Sequence, residues 1–256
     1  MKIIAVVAQK GGTGKTTTAV SILDYLSRQG KRTLAIDLND QADLTDTLGA
    51  EAITSGAGEV LKGKTVAETA KETNLRGVDI LTGADDLALL ESKITATGRE
   101  RAMILKNALQ PQHRYYKYVV IDAPGSFNTA FLNALTTADS LIITARPDYY
   151  SLRGVTRLIE NIQTVKTINP DLIVDGILLT QYQGRRNITR EAVEKLQEME
   201  TALNTRLFNA KIRENAKTAE APKYHKSVIS YAPASIGATD YMEFMNEYFN
   251  FTGGKR

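Results

Sequence analysis

Within eight residues, Lys10-Gly11-Gly12-Thr13-Gly14-Lys15-Thr16-Thr17 gathers three glycines, two lysines and a run of hydroxyls. Glycines leave backbone N–H groups free to wrap around phosphate oxygens, and a helix that starts where such a loop ends adds the positive end of its dipole. Lys15 is spaced to reach β and γ phosphates, and the Thr16 hydroxyl to ligate Mg²⁺. Gly11, Gly12, Thr13, Gly14, Lys15, Thr16 and Thr17 are therefore the expected nucleotide-binding residues. The plainer alternative is a glycine-rich turn with an exposed lysine. The general pattern G-x-x-x-x-G-K-[ST] asks for glycine at position 9; this chain has Gln9 and adds Lys10.

The elements needed to present that loop stand on either side of it. Ile3 to Val7 is an apolar run of the kind that forms a buried parallel strand, and Ala19, Ile22, Leu23 and Leu26 recur at helical spacing through about Ser27. Further apolar runs fall at Thr33–Leu38, Val78–Leu81, Tyr118–Ile121, Leu141–Ala145, Ile173–Thr180 and Arg206–Ile212. Helical patterns are expected near 41–48, 65–72, 84–94, 98–109, 127–137, 149–167, 187–202 and 235–249. This alternation predicts an α/β fold, a mainly parallel twisted sheet with helices on both faces, and the phosphate loop at the end of the first strand makes a P-loop NTPase the expected type. The Gly-Ala-Gly stretch around residue 57 reads as a turn. One domain over 1–256 suffices for 256 residues that are 43% hydrophobic, with only Gly253-Gly254-Lys255-Arg256 looking frayed.

Cysteine is absent, which excludes disulfides, zinc ribbons and Fe–S ligation. No run of about 18 apolar residues occurs to span a membrane. The first strand begins at Lys2, leaving no expected room for a signal peptide or a preceding DNA-reading domain, so a cytoplasmic protein that is not a sequence-specific repressor is expected. The net charge of +3 is unevenly spread: residues 181–230 hold ten Lys/Arg against six Glu.

Two strand ends carry acids suited to a phosphate site. Leu34-Ala35-Ile36-Asp37-Leu38-Asn39-Asp40-Gln41-Ala42-Asp43 follows one, and Tyr118-Val119-Val120-Ile121-Asp122-Ala123-Pro124-Gly125 contains the other. The loop, K-G-G-x-G-K-[ST], is the deviant Walker A form, and the chain resembles the ParA/MinD ATPases, most closely small ParA-type DNA partition proteins. That resemblance implies ATP and Mg²⁺ as cofactors and an ATP sandwich homodimer in which Lys10 reaches the partner's nucleotide, akin in logic to an arginine finger. It implies that Lys10, Lys15, Asp37 and the residue at 39 are catalytic, and that Thr16, Asp37 and Asp122 serve the metal. It also places Gly11 and Gly12 near the dimer interface, where a side chain should clash.

The family's Walker A′ segment is usually D-x-D-P-Q-G-N, and Asn39 replaces its second aspartate, which positions the attacking water. An amide is a poor base and carries no charge; help of this kind is worth roughly 10²–10⁴-fold in rate. Three readings stand at position 39: a trap that holds ATP, rescue by Asp40 or Asp43, or a different way of placing water. Pro147-Asp148-Tyr149-Tyr150 resembles the segment that opens a long helix, and Asp148 reads foremost as a helix-start residue.

Ile212-Arg213-Glu214-Asn215 to Glu220-Ala221-Pro222 resembles the ParA segment I-P-R-N-x-x-x-x-E-A-P, which implies that Asn215 meets the adenine edge. Arg213 stands where that pattern has proline and Glu214 where it has arginine. Positions matching the family's DNA-binding residues are Arg185 and Lys217, with Arg186 and Arg190 close to the first; a solvated basic face is the alternative. The last helix carries Asp240, Glu243 and Glu247 without Lys or Arg, so it does not resemble MinD's basic membrane helix, and Tyr241, Phe244, Met245 and Tyr248 should pack on the core. The expectation is thus a nucleoid-associated ParA-type ATPase whose ATP-bound dimer binds DNA without sequence preference and is reset by a ParB-type partner. Alternatives are a nucleotide-gated DNA-binding scaffold without turnover, and a MinD-like positioning ATPase. Nothing beyond the nucleotide site marks an acceptor pocket for a metabolic enzyme.

Overall fold

The computed structural model describes residues 1–184 and 187–253, with the side chains at 91, 187–192, 202, 203 and 251–253 outside the description. Eight strands form one sheet: β1 (Lys2–Val7), β2 (Thr33–Asp37), β3 (Lys71–Glu72), β4 (Val78–Leu81), β5 (Tyr118–Asp122), β6 (Ser140–Ala145), β7 (Ile173–Tyr182) and β8 (Leu207–Arg213). Their order is β3-β4-β2-β5-β1-β6-β7-β8, and every neighbouring pair is parallel except β3 with β4.

The continuous apolar runs follow from burial on both faces of a parallel sheet. In β1, Ile3, Ala5 and Val7 enter one core while Ile4 and Val6 enter the other. The second core is closed by the C-terminal helix Ile236–Gly253, whose Tyr241, Phe244, Met245 and Tyr248 are buried, Phe244 packing edge-on against Phe208 of β8. Among the described residues, no helix is long and apolar enough to cross a membrane.

Parallel strands deliver all their C-terminal ends to one edge of the sheet, where open α/β sheets bind ligands. Because β2, β5 and β1 are neighbours, Asp122 pairs in register with Asp37 on one side and with Val6 on the other. The loops that follow residues 7, 37 and 122 are side by side for that reason alone.

Two sequence expectations need correcting: the helix expected near 65–72 ends at Thr69, with Lys71–Glu72 forming β3, and the turn expected around residue 57 is a helix. The stretch around residue 57 is the helix Gly56–Leu61, not a turn: Ser55 is its N-cap, its buried hydroxyl accepting from Gly58 N at 2.8 Å. A Cβ at Gly56 would come within 3.2 Å of Thr69 O and Thr82 N, so close packing overrides the poor helix propensity of glycine. The two-residue antiparallel edge strand β3 is too short and too exposed to show a period. Gly254, Lys255 and Arg256 lie outside the described residues.

Candidate nucleotide and metal site

Gly12 and Gly14 adopt φ of 69° and 78°, the left-handed region that glycine enters without strain, and Gly14 opens the helix Lys15–Arg28. Within the single chain a Cβ at Gly11 would meet nothing within 4 Å. Thr13 turns its side chain inward, Oγ1 lying 3.1 Å from Thr144 Oγ1, while its carbonyl accepts from Thr180 Oγ1 at 2.8 Å. Its part in the loop is therefore played by the backbone. Lys15 is buried, and a Cβ at Gly125 would sit 3.9 Å from its Nζ, so the two strand-end loops face each other.

The acids are used unequally. Asp122 is buried; its Oδ2 accepts from Thr16 Oγ1 at 2.6 Å while its Oδ1 has no partner. Burial, and then the charge of Asp37, push its carboxyl up to about 7. Asp37 is spent: Oδ1 accepts from Asn39 N at 3.1 Å and Nδ2 at 3.3 Å, and Oδ2 from Thr45 N at 3.0 Å and Oγ1 at 2.8 Å. Burial raises its pKa too, opposed by the Thr45 and Asn39 bonds. An orphaned buried carboxylate oxygen beside a threonine hydroxyl fits a hard cation with oxygen ligands. Thr16 and Asp122 fit that role; Asp37, which the resemblance also assigns to the metal, lies in register with Asp122 and has both oxygens hydrogen-bonded within its own loop.

Lys10 is paired within the chain. Its Nζ lies 2.9 Å from Asp148 Oδ1 and 5.7 Å from the ring centre of Tyr150. Asp148 Oδ1 also accepts from Ser151 N at 3.0 Å, capping the helix Tyr149–Lys166, as its sequence position predicts. Burial raises this carboxyl, but the Lys10 and Ser151 hydrogen bonds outweigh it and hold it below the usual range.

On the opposite flank of the loop a cavity of about 490 Å³ is lined by Gly12, Gly14, Thr17, Gln181, Asn215 and Tyr241, among others. Asn215 sits on its wall and caps the short helix Ala216–Glu220, Oδ1 accepting from Lys217 N at 2.8 Å. A second cleft of about 780 Å³ adjoins Thr45 and Gly83 and carries Asp46, Glu51, Asp85, Asp86 and Lys71.

A family described as an AAA domain matches residues 1–174. The sporulation initiation inhibitor protein Soj of Bacillus subtilis is 33% identical over 96% of this chain and 97% of its own. The chromosome partitioning protein ParA of Myxococcus xanthus is 34% identical over 96% and 87%. The chain belongs to the ParA/MinD family of deviant Walker A ATPases. Among solved structures, the septum site-determining protein MinD of Pyrococcus horikoshii, complexed with Mg-ADP, superposes with a TM-score of 0.77 at 25% identity, covering 100% of this chain and 98% of that one.

Against the ParA/MinD pattern, the segment after β2 departs in ways the structure makes legible. Asn39 Nδ2 donates to Asp37 Oδ1 and, at 3.2 Å, to Asp122 O. Both partners accept, so the amide presents its NH₂ there, and that NH₂ is engaged within the chain. Ala42 occupies the glycine of D-x-D-P-Q-G-N and adopts φ of 55°. Lys217 pairs with Glu220 at 2.8 Å, in keeping with the solvated-face alternative. Arg185 and Arg186 lie outside the described residues, as does the side chain of Arg190.

Sequence reasoning passed over several residues. Gln181 Nε2 donates to Gly12 O at 2.8 Å, fastening the phosphate loop. Gly83 N donates to Thr45 Oγ1 at 2.8 Å, and a Cβ there would stand 2.4 Å from Asn39 O. Their only signal is a position just beyond or at the end of a parallel strand, and its meaning depends on a strand order that sequence does not show.

Proposed function

We propose that this chain is a ParA-type DNA partition ATPase with slowed turnover, a Mg-ATP-dependent dimer that holds DNA without sequence preference. One observation carries the reading: the unpartnered Asp122 Oδ1 beside Thr16 Oγ1, at the foot of a glycine loop that ends on a helix N-terminus. Thr16 and Asp122 would hold Mg²⁺, whose charge offsets that of the phosphates when bound. Lys15 and the free N–H groups of Gly11 to Thr17 orient the triphosphate, and Asn215 meets the base. Lys10 leaves Asp148 to reach the partner's nucleotide, with Gly11 and Gly12 keeping that face flat. Asn39, with its NH₂ engaged on Asp37 and Asp122, can offer a water only an uncharged amide oxygen and no carboxylate to take its proton, so hydrolysis is slow.

DNA contacts come from Arg185, Arg186, Arg190 and Lys217, doubled by dimerisation, and a ParB-type partner restores the monomer. The chain acts in the cytoplasm on the nucleoid, as a single domain over 1–256. The engaged Asn39 amide also favours a second reading, a nucleotide-gated scaffold without turnover; phosphate release with DNA and partner separates the two. The aromatic face of the helix Ile236–Gly253 packs on the core, so that face is not offered to a membrane.

The test is duplex binding against salt, with Mg-ATP and with Mg-ADP, alongside mass determination in solution. Four phosphate contacts per protomer predict a log–log slope near about −3.6, and about twice that for the dimer. Equal binding in both nucleotide states, or a strictly monomeric ATP form, would remove the proposal.

A further inference from the structure

We propose that Asp240 is a positioning residue for nucleotide binding, setting through Arg213 the wall of the cavity that receives the base. This rests on the nucleotide reading of that cavity given above.

Arg213 ends β8, two residues before Asn215. Its backbone N donates to Asp240 Oδ2 at 2.8 Å, and its Nε lies 3.1 and 3.0 Å from the two carboxylate oxygens. The Asp240 side chain is 2% exposed and that of Arg213 51%, so a desolvated carboxylate grips a cation at the cavity rim. Charge-assisted, bidentate geometry of this kind fixes direction as well as distance.

Asp240 does not act alone on its helix. One turn earlier, a Cβ at Gly237 would lie 2.3 Å from Thr218 Oγ1 and 3.7 Å from Asn215 Cβ, so the backbone there packs directly beneath the Asn215 segment. One residue later, Tyr241 OH meets Thr18 Oγ1 of the phosphate-loop helix at 3.2 Å. Positions 237, 240 and 241 share one helix face. That face joins the base side of the cavity to the phosphate side.

The ParA pattern has proline at position 213, which fixes φ through its ring. Here an arginine stands there, and its freedom is removed instead by hydrogen bonds from its backbone N, Nε and Nη2 to a carboxylate on another element. The segment is thereby held ready before ligand arrives, with Asn215 Oδ1 committed to Lys217 N and Nδ2 left to face the base.

A base-side role predicts a loss confined to ligands that have a base. With the full chain, calorimetric titration with Mg-ATP and with Mg-tripolyphosphate separates the two contributions. Asp240→Asn and Arg213→Ala should each weaken ATP about tenfold, the equivalent of one charged hydrogen bond, with tripolyphosphate within about twofold. Arg213→Lys, which keeps a cation, should recover part of the loss. Arg213→Lys keeps a cation against the buried Asp240, so it remains informative if Asp240→Asn or Arg213→Ala folds poorly. Equal losses for both ligands, or none for either, overturn the proposal. If the native chain holds ATP no better than tripolyphosphate, or binds neither, the nucleotide reading of the cavity falls first and the proposal with it.

Discussion

Lys10 donates to both carboxylate oxygens of Asp148, at 2.9 and 3.1 Å, inside one chain. The lysine that the ParA/MinD resemblance assigns to a partner's nucleotide is thus already paired at home. Dimerisation on that reading exchanges one anion for another, and the home pair opposes it. A partly exposed pair of this type is worth about 0–1 kcal/mol, so the opposition is mild.

Asp148→Asn keeps an oxygen to accept from Ser151 N while removing the charge that holds Lys10. Because each protomer of the dimer gives up one such pair, it should let the ATP-bound dimer form at up to about thirtyfold lower protein concentration, the equivalent of roughly 2 kcal/mol. Light scattering across a dilution series measures this, and an unchanged or raised midpoint would sink the home-pair argument.

Asn39→Asp replaces an NH₂ that faces two acceptors with a carboxylate. Facing Asp37 Oδ1 and Asp122 O, it loses both bonds and meets like charge. The nucleotide-free variant should lose about 1–3 kcal/mol of stability at pH 8, and less at pH 5 where protonation relieves the repulsion. Denaturant unfolding reads the stability. Phosphate release reads the separate expectation that turnover rises, and turnover equal to that of the native chain would show that Asn39 does not limit hydrolysis.

Asp122 gives the nucleotide-free protein a pH dependence of opposite sense to a paired carboxylate. Its folded-state carboxyl is raised to about 7 by burial first and Asp37 second. A raised carboxyl contributes stability that is full below its unfolded value and is lost as pH rises through its folded value. Unfolding free energy should therefore fall between about pH 4 and 8, by about 4 kcal/mol at most. Asp122→Asn should flatten that slope. Thermal unfolding at fixed ionic strength provides the check, and a flat profile for the native chain would count against an ionisable Asp122.

Much of this site could be read from the chain before any coordinates, because its parts are local. A strand, a glycine loop and a helix are contiguous from Lys2 to Arg28, and Asp37 and Asp122 each end an apolar run. The bonds made across the fold could not be read. That Thr45, which holds Asp37, is itself reached by Gly83 N follows only once β4 is known to lie beside β2. Asp240 shows the same limit more sharply: in sequence it is one acid on an amphipathic helix, and only packing against β8 places it on Arg213.

Ala42 lies within the same loop and carries its strain. A residue with a Cβ at φ of 55° costs roughly 1–2 kcal/mol relative to glycine, which the ParA/MinD pattern has at this place. Glycine returns about 0.4–1 kcal/mol of that as extra freedom in the unfolded chain. Ala42→Gly should therefore stabilise the protein by about 0.5–1 kcal/mol, seen as a higher denaturation midpoint with an unchanged slope. The strained turn is closed by Ala42 N donating to Asn39 O at 3.3 Å, so relaxing it also loosens the hold on Asn39. Nucleotide binding that remakes this loop should then be faster in Ala42→Gly, measurable by stopped-flow fluorescence of a labelled ATP. Destabilisation by the glycine would mean that the turn is held by contacts stronger than its strain.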